Sequence, residues 1–290
     1  MLINLFLGPK KGTYRLISFI MKSHKVEEEN VSLTYYTQGH GEEILICIHG
    51  HGREVNDFLF LEKKNRKLIL IVLPHHGNSL FPEHRVEQEP LTITEFNRLF
   101  QKILDKETIK QFHFIGFSQG GRFVLALIPL HQRWIKTVHL ISPDGMDHNS
   151  FYNKASRNKL ARRLFESWEN NPKSFIHIAK IALSLKLIRP KVFAFIQLFA
   201  SNQVDFKRAS ITWRGFRKIT PDIPLIRKSI LDNDIDFKLI MGKYDQVIRT
   251  RQARIFLSKL EYPNALEEIS CGHDFFKEGN LNLLIGAIQI

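Results

Sequence analysis

Two hydrophobic rhythms alternate along the chain, and the alternation is interrupted once. Short apolar runs closed by Gly, Pro or polar residues occur at "VSLTYYTQG" (31–39), "EILICIHG" (43–50), "KLILIVLP" (67–74), "QFHFIGF" (111–117) and "IKTVHLISP" (135–143). Two more follow late in the chain, at "DFKLIMG" (236–242) and "ALEEIS" (265–270). Their length and their content of Val, Ile, Leu, Thr and Tyr predict strands. Between them, "LTITEFNRLFQKILDK" (91–106) places Ile93, Phe96, Phe100 and Ile103 at steps of three and four, the period of an amphipathic helix. Further helices are expected at "GRFVLALIPL" (121–130), at "TRQARIFLSKL" (250–260) and around 276–288. Strands separated by helices predict an α/β fold, a mostly parallel doubly wound sheet with helices on both faces.

The interruption spans 147–232. Its stretches "NKLARRLFESWEN", "KSFIHIAKIALSLKLI" and "PKVFAFIQLFAS" are helix-like, basic and aromatic, with no strand pattern. Charge marks the same segment. The protein carries a net +13, and from 151 to 231 there are 17 Lys+Arg against 4 Asp+Glu, so the remainder is balanced. The expected organisation is an N-terminal extension (1–23), a first core part (24–146), a basic helical cap (147–232) and a second core part (233–290).

No window approaches 18 uninterrupted apolar residues, so no membrane-spanning helix is expected. The start, "MLINLFLGPKKGTYRLISFIMK", lacks a positive n-region and a small-residue cleavage site, which argues against a secretory signal. The two cysteines, Cys47 and Cys271, suggest no disulfide framework. These features lead to the expectation of a cytoplasmic protein.

The chemistry concentrates at "QFHFIGFSQGGRFVLALI" (111–128), where an apolar run meets Gly-Phe-Ser-Gln-Gly-Gly and a second apolar run begins at once. A strand, a sharp turn carrying Ser, then a helix is the context of a nucleophile elbow centred on Ser118. Gly116 and Gly120 remove side chains where strand and helix cross. A serine hydroxyl is a weak nucleophile without a base and an acid that orients the base. In the order Ser, acid, His, the chain offers Asp245 in "IMGKYDQVI" and His273 in "SCGHDFF". Asp144 in "SPDGM" is the rival acid. For an oxyanion hole, the amides of His51, in "CIHGHGRE", and of Gln119 are the candidate donors. His49 is a candidate substrate contact or a residue that holds the loop.

"IHGHG", "GFSQGG", "GKYDQVI" and "CGHDFF" resemble the oxyanion loop, nucleophile, acid and histidine motifs of the α/β-hydrolase superfamily, in members with a helical cap inserted after the sixth strand. "LPHHGNS" (73–79) resembles a further loop of that family, usually Gly-x-Gly-x-Ser, from which His76 and Asn78 depart. The resemblance implies a serine hydrolase acting on a carboxylic ester or thioester of a small-molecule acyl substrate, with no cofactor and no metal. Serine at the elbow argues against epoxide hydrolases and haloalkane dehalogenases, which use a carboxylate.

Two readings compete. "GFSQGGR" resembles the elbow of carbon–carbon lyases and hydrolases of the superfamily, in which Arg122 would bind a substrate carboxylate; Arg122 could equally pair with a carboxylate of the core. A non-catalytic reading makes the basic cap a peripheral binder of anionic membrane, with no nucleic acid expected; the bland form of that feature is a solvated face. The cap residues Phe175, Ile178, Ile181, Leu185, Phe193, Phe195 and Phe199 either enclose an acyl chain or pack helix on helix.

Overall fold

The computed structural model describes residues 21–147 and 156–288. Eight strands form one sheet in the order β1-β2-β4-β3-β5-β6-β7-β8. They are β1 (Lys22–Glu28), β2 (Val31–Gly39), β3 (Glu43–Ile48), β4 (Arg66–Ile71), β5 (Phe112–Phe117), β6 (Ile135–Ile141), β7 (Asp236–Gly242) and β8 (Leu266–Ile269). β2 runs antiparallel to both β1 and β4, and every other pair is parallel. The central strands are continuous apolar runs because both of their faces are covered. Ile46 and Ile48 of β3 join the larger core cluster, and Leu45 and Cys47 the smaller one on the other face.

The larger face carries α2 (Ile93–Lys106) and α3 (Gln119–His131), with the short α1 (Arg85–Gln88) ahead of them. α2 starts where the Thr92 side chain accepts from the Glu95 amide, and it buries Phe96, Leu99, Phe100, Ile103 and Leu104. α3 is buried along nearly its whole length, as the apolar run from Phe123 to Ile128 requires.

The insertion between β6 and β7 contains α4 (Lys159–Glu169), α5 (Pro172–Ser184), α6 (Pro190–Ser201) and α7 (Gln203–Gly215). It is seated on the core by cations. Arg162 donates to Glu87 of α1 at 2.9 Å, and Arg217 to the carbonyls of Val86, at 2.6 Å, and Glu87. Lys207 pairs with Glu83 at 3.0 Å. Inside the insertion, Phe165 packs on Trp213 and Trp168 on Phe175, with ring centroids 4.3 and 4.7 Å apart.

Three sequence expectations are corrected. β1 begins at Lys22, inside the segment set aside as an extension; the rest of that segment, 1–20, lies outside the described residues, as does 148–155 of the expected cap. β1 escaped notice because it is a polar edge strand in which only Val26 is buried. Second, the expected cap runs too far. α8 (Ile223–Asp232), opened by Pro224 and capped by Asp222, which accepts from the Leu225 amide at 3.0 Å, buries Ile223, Ile226 and Ile230 in the main core against α3 and α9 (Thr250–Leu260). It therefore belongs with the sheet. Third, Ile178, Ile181 and Leu185 do not line a cavity but stand exposed, while Phe175 packs among the aromatic rings of the insertion. The side chains of Phe195 and Phe199 lie outside the described residues.

Candidate active site

Ser118 joins β5 to α3 with φ +48° and ψ −117°, a conformation an L-residue holds only when its surroundings impose it. The surroundings are on either side of it. The Ser118 amide donates to Ile141 at the end of β6, and its carbonyl accepts from Gly121 and Asp144. A side chain at Gly120 would lie 2.1 Å from the Ile48 carbonyl oxygen, so α3 can cross the end of β3 only with glycine there. Gly116 makes the matching approach to the Gly121 backbone.

The Ser118 hydroxyl lies 3.0 Å from His273 Nε2, and His273 Nδ1 lies 2.7 Å from Asp245 Oδ2. Three loops thus meet at the C-terminal edge of the sheet, the serine 155 residues from the histidine and the acid 28 from it. The acid and histidine loops are tied together, since the amides of Lys243 and Tyr244 donate to the carbonyls of Ile269 and Cys271. The imidazole lies against the Phe117 ring, 5.1 Å between centroids. Asp245 is buried at 3% exposure. Burial, the largest influence, would raise its pKa; hydrogen bonds from His273, Ser142 and the Ile248 amide together hold it below the usual carboxylate value. Its Oδ1 accepts from the amides of Val247 and Ile248 at 2.7 and 2.9 Å.

Ser142, which no sequence motif marks, joins the site. Its hydroxyl donates to Asp245 Oδ2 at 2.6 Å, the same oxygen that meets His273. It sits at the end of β6 with φ +39°, fully buried. A single Ser beyond a strand carries no pattern; only the pairing of β6 with β7 brings it opposite the acid.

The loop after β3 is held by imidazoles. His49 is 1% exposed, accepts from the Leu73 amide through Nε2 at 3.0 Å, and has Nδ1 2.7 Å from the Gly50 carbonyl. His76 accepts from the Gly52 amide at 3.0 Å and has Nδ1 3.1 Å from the Pro74 carbonyl. Each arrangement needs a neutral ring protonated on Nδ1, and burial holds their pKa values at about 4 and about 2. His49 therefore fixes the loop, which corrects its candidacy as a substrate contact. The His51 ring reaches the insertion, 3.4 Å from the Thr212 hydroxyl. Gln119 opens α3, where an amide has no partner within the helix. Among the described residues, no group of three or more His, Cys, Asp or Glu could hold a metal ion.

Arg122 is paired with a carboxylate of the core. Its Nε and terminal nitrogen lie 2.9 and 2.7 Å from Asp144 Oδ2, and the guanidinium is buried. The same pair removes Asp144 as a rival acid and takes away the residue on which the lyase reading turned. Arg122→Met leaves Asp144 uncompensated, and we expect a loss of about 2 kcal/mol in stability, since Asp144 keeps some solvent. A urea titration checks it; KM for a carboxylate-bearing ester should not move.

A family model described as alpha/beta hydrolase fold matches residues 43–183, and the strand order and elbow extend that likeness over the rest of the sheet. The chain belongs to the α/β-hydrolase superfamily. Solved relatives of this α/β hydrolase are similar in fold at low identity. An alpha/beta hydrolase enzyme from a Medee basin deep-sea metagenome library has a TM-score of 0.63 and 14% identity, covering 92% of this chain and 98% of its own. The thioesterase domain from the curacin biosynthetic pathway has a TM-score of 0.61 and 13% identity, covering 93% and 99%. Among curated sequences, the dihydrolipoyllysine-residue acetyltransferase component of the acetoin cleaving system of Pseudomonas putida is 27% identical over 138 residues, 44% of this chain. That match spans only 36% of the curated protein's length. Among the described residues, no helix of the α/β hydrolase is long and apolar enough to cross a membrane.

Proposed function

We propose that this α/β hydrolase cleaves a carboxylic ester or thioester through an acyl-enzyme on Ser118. The observation that carries the reading is the continuous contact of hydroxyl, imidazole and carboxylate, at 3.0 and 2.7 Å. His273 Nε2 takes the proton as Ser118 Oγ bonds to the carbonyl carbon. Asp245 holds the other ring nitrogen and stabilises the imidazolium that forms. The amides of Gln119 and His51 are the donors assigned to the tetrahedral oxyanion, each contributing about 3 kcal/mol in enzymes of this type. Collapse expels the alcohol or thiol, which leaves with the proton from His273. Water then adds to the acyl-enzyme by the same route, and the acid departs.

Two observations support the reading against its rivals. A binding protein has no need of a strained serine aimed at an imidazole, and a carboxylate-binding lyase site would need Arg122 free of Asp144. The helices of the insertion act as the cap, reaching the oxyanion loop through Thr212 and His51. The test is labelling with a fluorophosphonate, with peptide mass spectrometry to locate the adduct. An adduct at Ser118 together with turnover of p-nitrophenyl or acyl-thiol substrates is expected. No adduct and no turnover across an acyl-length series would sink the proposal.

Ser142 is a positioning residue in this scheme. Ser142→Ala removes a donor to a charged acceptor, and kcat should fall about tenfold with KM unchanged. An equal fall in thermal stability without a change in kcat would make Ser142 structural only.

A further inference from the structure

Several cations of the insertion are engaged: Arg162 with Glu87, Arg214 with Glu166 and Glu169, Lys207 with Glu83, and Arg208 with Asp205, while Arg157, Lys159, Arg163 and Lys218 are exposed. The α5–α6 hairpin is different. From 170 to 204 the sequence has five basic residues and no acidic one. Within the described residues, Lys173, Lys180, Lys186 and Arg189 are exposed and form no ion pair.

The same hairpin exposes large apolar side chains. Ile178, Ile181 and Leu185 follow one another at steps of three and four along one stripe of α5, at 48, 48 and 63% exposure. Lys186 then turns the chain in the left-handed region, with the amides of Lys186 and Leu187 closing on the carbonyls of Leu183 and Ala182. That turn presents Leu187, 73% exposed, at the tip. Burying aliphatic side chains among unpaired lysines suits a partner that is apolar within and negative at its surface. A second copy of the chain would bring the same cations face to face, and a nucleic acid offers nothing to receive four aliphatic side chains.

We propose that the tip of the α5–α6 hairpin docks the protein on an anionic lipid bilayer, with Leu185, Leu187, Ile178 and Ile181 entering the headgroup boundary and Lys173, Lys180, Lys186 and Arg189 against the headgroups. The proposal does not depend on the serine chemistry.

The test is flotation of the full chain with vesicles of phosphatidylcholine alone or mixed with phosphatidylglycerol, at low and high salt. Binding only to the mixed vesicles, weakened by salt, is expected. Each surface cation contributes about fivefold in partition, so Lys180→Gln with Lys186→Gln should weaken binding about 25-fold. Leu185→Ser with Leu187→Ser should weaken it to a similar extent or more. Both pairs lie on exposed positions, and both variants should keep wild-type turnover of a soluble short-chain ester, which reports folding separately. Overturning results are no binding to mixed vesicles at low salt, equal binding to both vesicle types, or binding unaffected by either pair. Retention on duplex DNA without flotation on vesicles would likewise overturn it in favour of a nucleic-acid surface.

Discussion

Ester turnover should fall on the order of 10⁶-fold in Ser118→Ala, with the fold intact by circular dichroism. The magnitude follows from the proposed scheme, in which the three side chains act as one unit. Without Oγ, His273 has no proton to accept at Nε2, and the carboxylate behind it stabilises a charge that never forms. His273→Ala should then cost about as much, and the double variant little more, because the second change removes a group already idle. What remains over water comes from the backbone donors near Gln119 and His51. Alanine fits the site sterically, although it keeps the strained φ of +48°. Glycine accepts that backbone freely, so Ser118→Gly serves as the control for folding. Additive losses in the double variant, or wild-type turnover in Ser118→Ala, would show that the three groups do not work together.

The second large expected effect is loss of stability in mild acid. Six histidines, four buried and two half-buried, are held neutral: desolvation keeps His49, His51, His75, His131 and His139 at about 4 and His76 at about 2, against an ordinary 6.5. Their folded pKa values are depressed, so the unfolded chain binds protons that the native chain refuses. They cost nothing above about pH 6.5. Below it, each removes about 1 kcal/mol per pH unit, down to its folded value. Six together draw several kcal/mol from a total stability of roughly 5–15 kcal/mol, so unfolding should set in between pH 6 and 4. Asp245 works in the same direction lower down, since its depressed carboxyl loses its stabilising contribution as pH falls through its folded value. Thermal melts across pH 7.5 to 4 measure the slope. His139, fully buried with neither ring nitrogen bonded, is the clearest single case, and His139→Leu should move the acid midpoint downward. A melting temperature flat from pH 7 to 4.5 would contradict the account.

The sequence made the middle of this fold legible and left its margins obscure, for physical reasons. β3, β4 and β5 are buried on both faces, so they had to be continuous apolar runs. β1 pairs with only one neighbour and faces solvent, so Lys, His and Glu are admissible and the strand signal vanishes. α8 reads as part of the cap because Arg227 and Lys228 continue the basic composition, although Ile223, Ile226 and Ile230 trace a buried stripe of the main core.

The contact of Ser118, Asp245 and His273 is foreshadowed in the sequence because each sits in a short motif whose order along the chain is constrained. That of Ser142 is not, since its partner is 103 residues away and only strand pairing brings the two together. The residue standing where Gly-x-Gly-x-Ser has its first glycine is His75, at φ +64°, while His76 fills a variable position, from which its imidazole takes the Gly52 amide and fixes the neighbouring loop.

The seat of the insertion also has a mechanical consequence. Arg162, Arg217 and Lys207 grip α1 and the chain just before it, and Ile211, Phe216 and Ile219 enter the main core beside them. Lys207 and Arg217 flank Thr212, which touches His51 in the loop after β3, so the footing of the insertion and its contact with that loop share one helix and the turn after it.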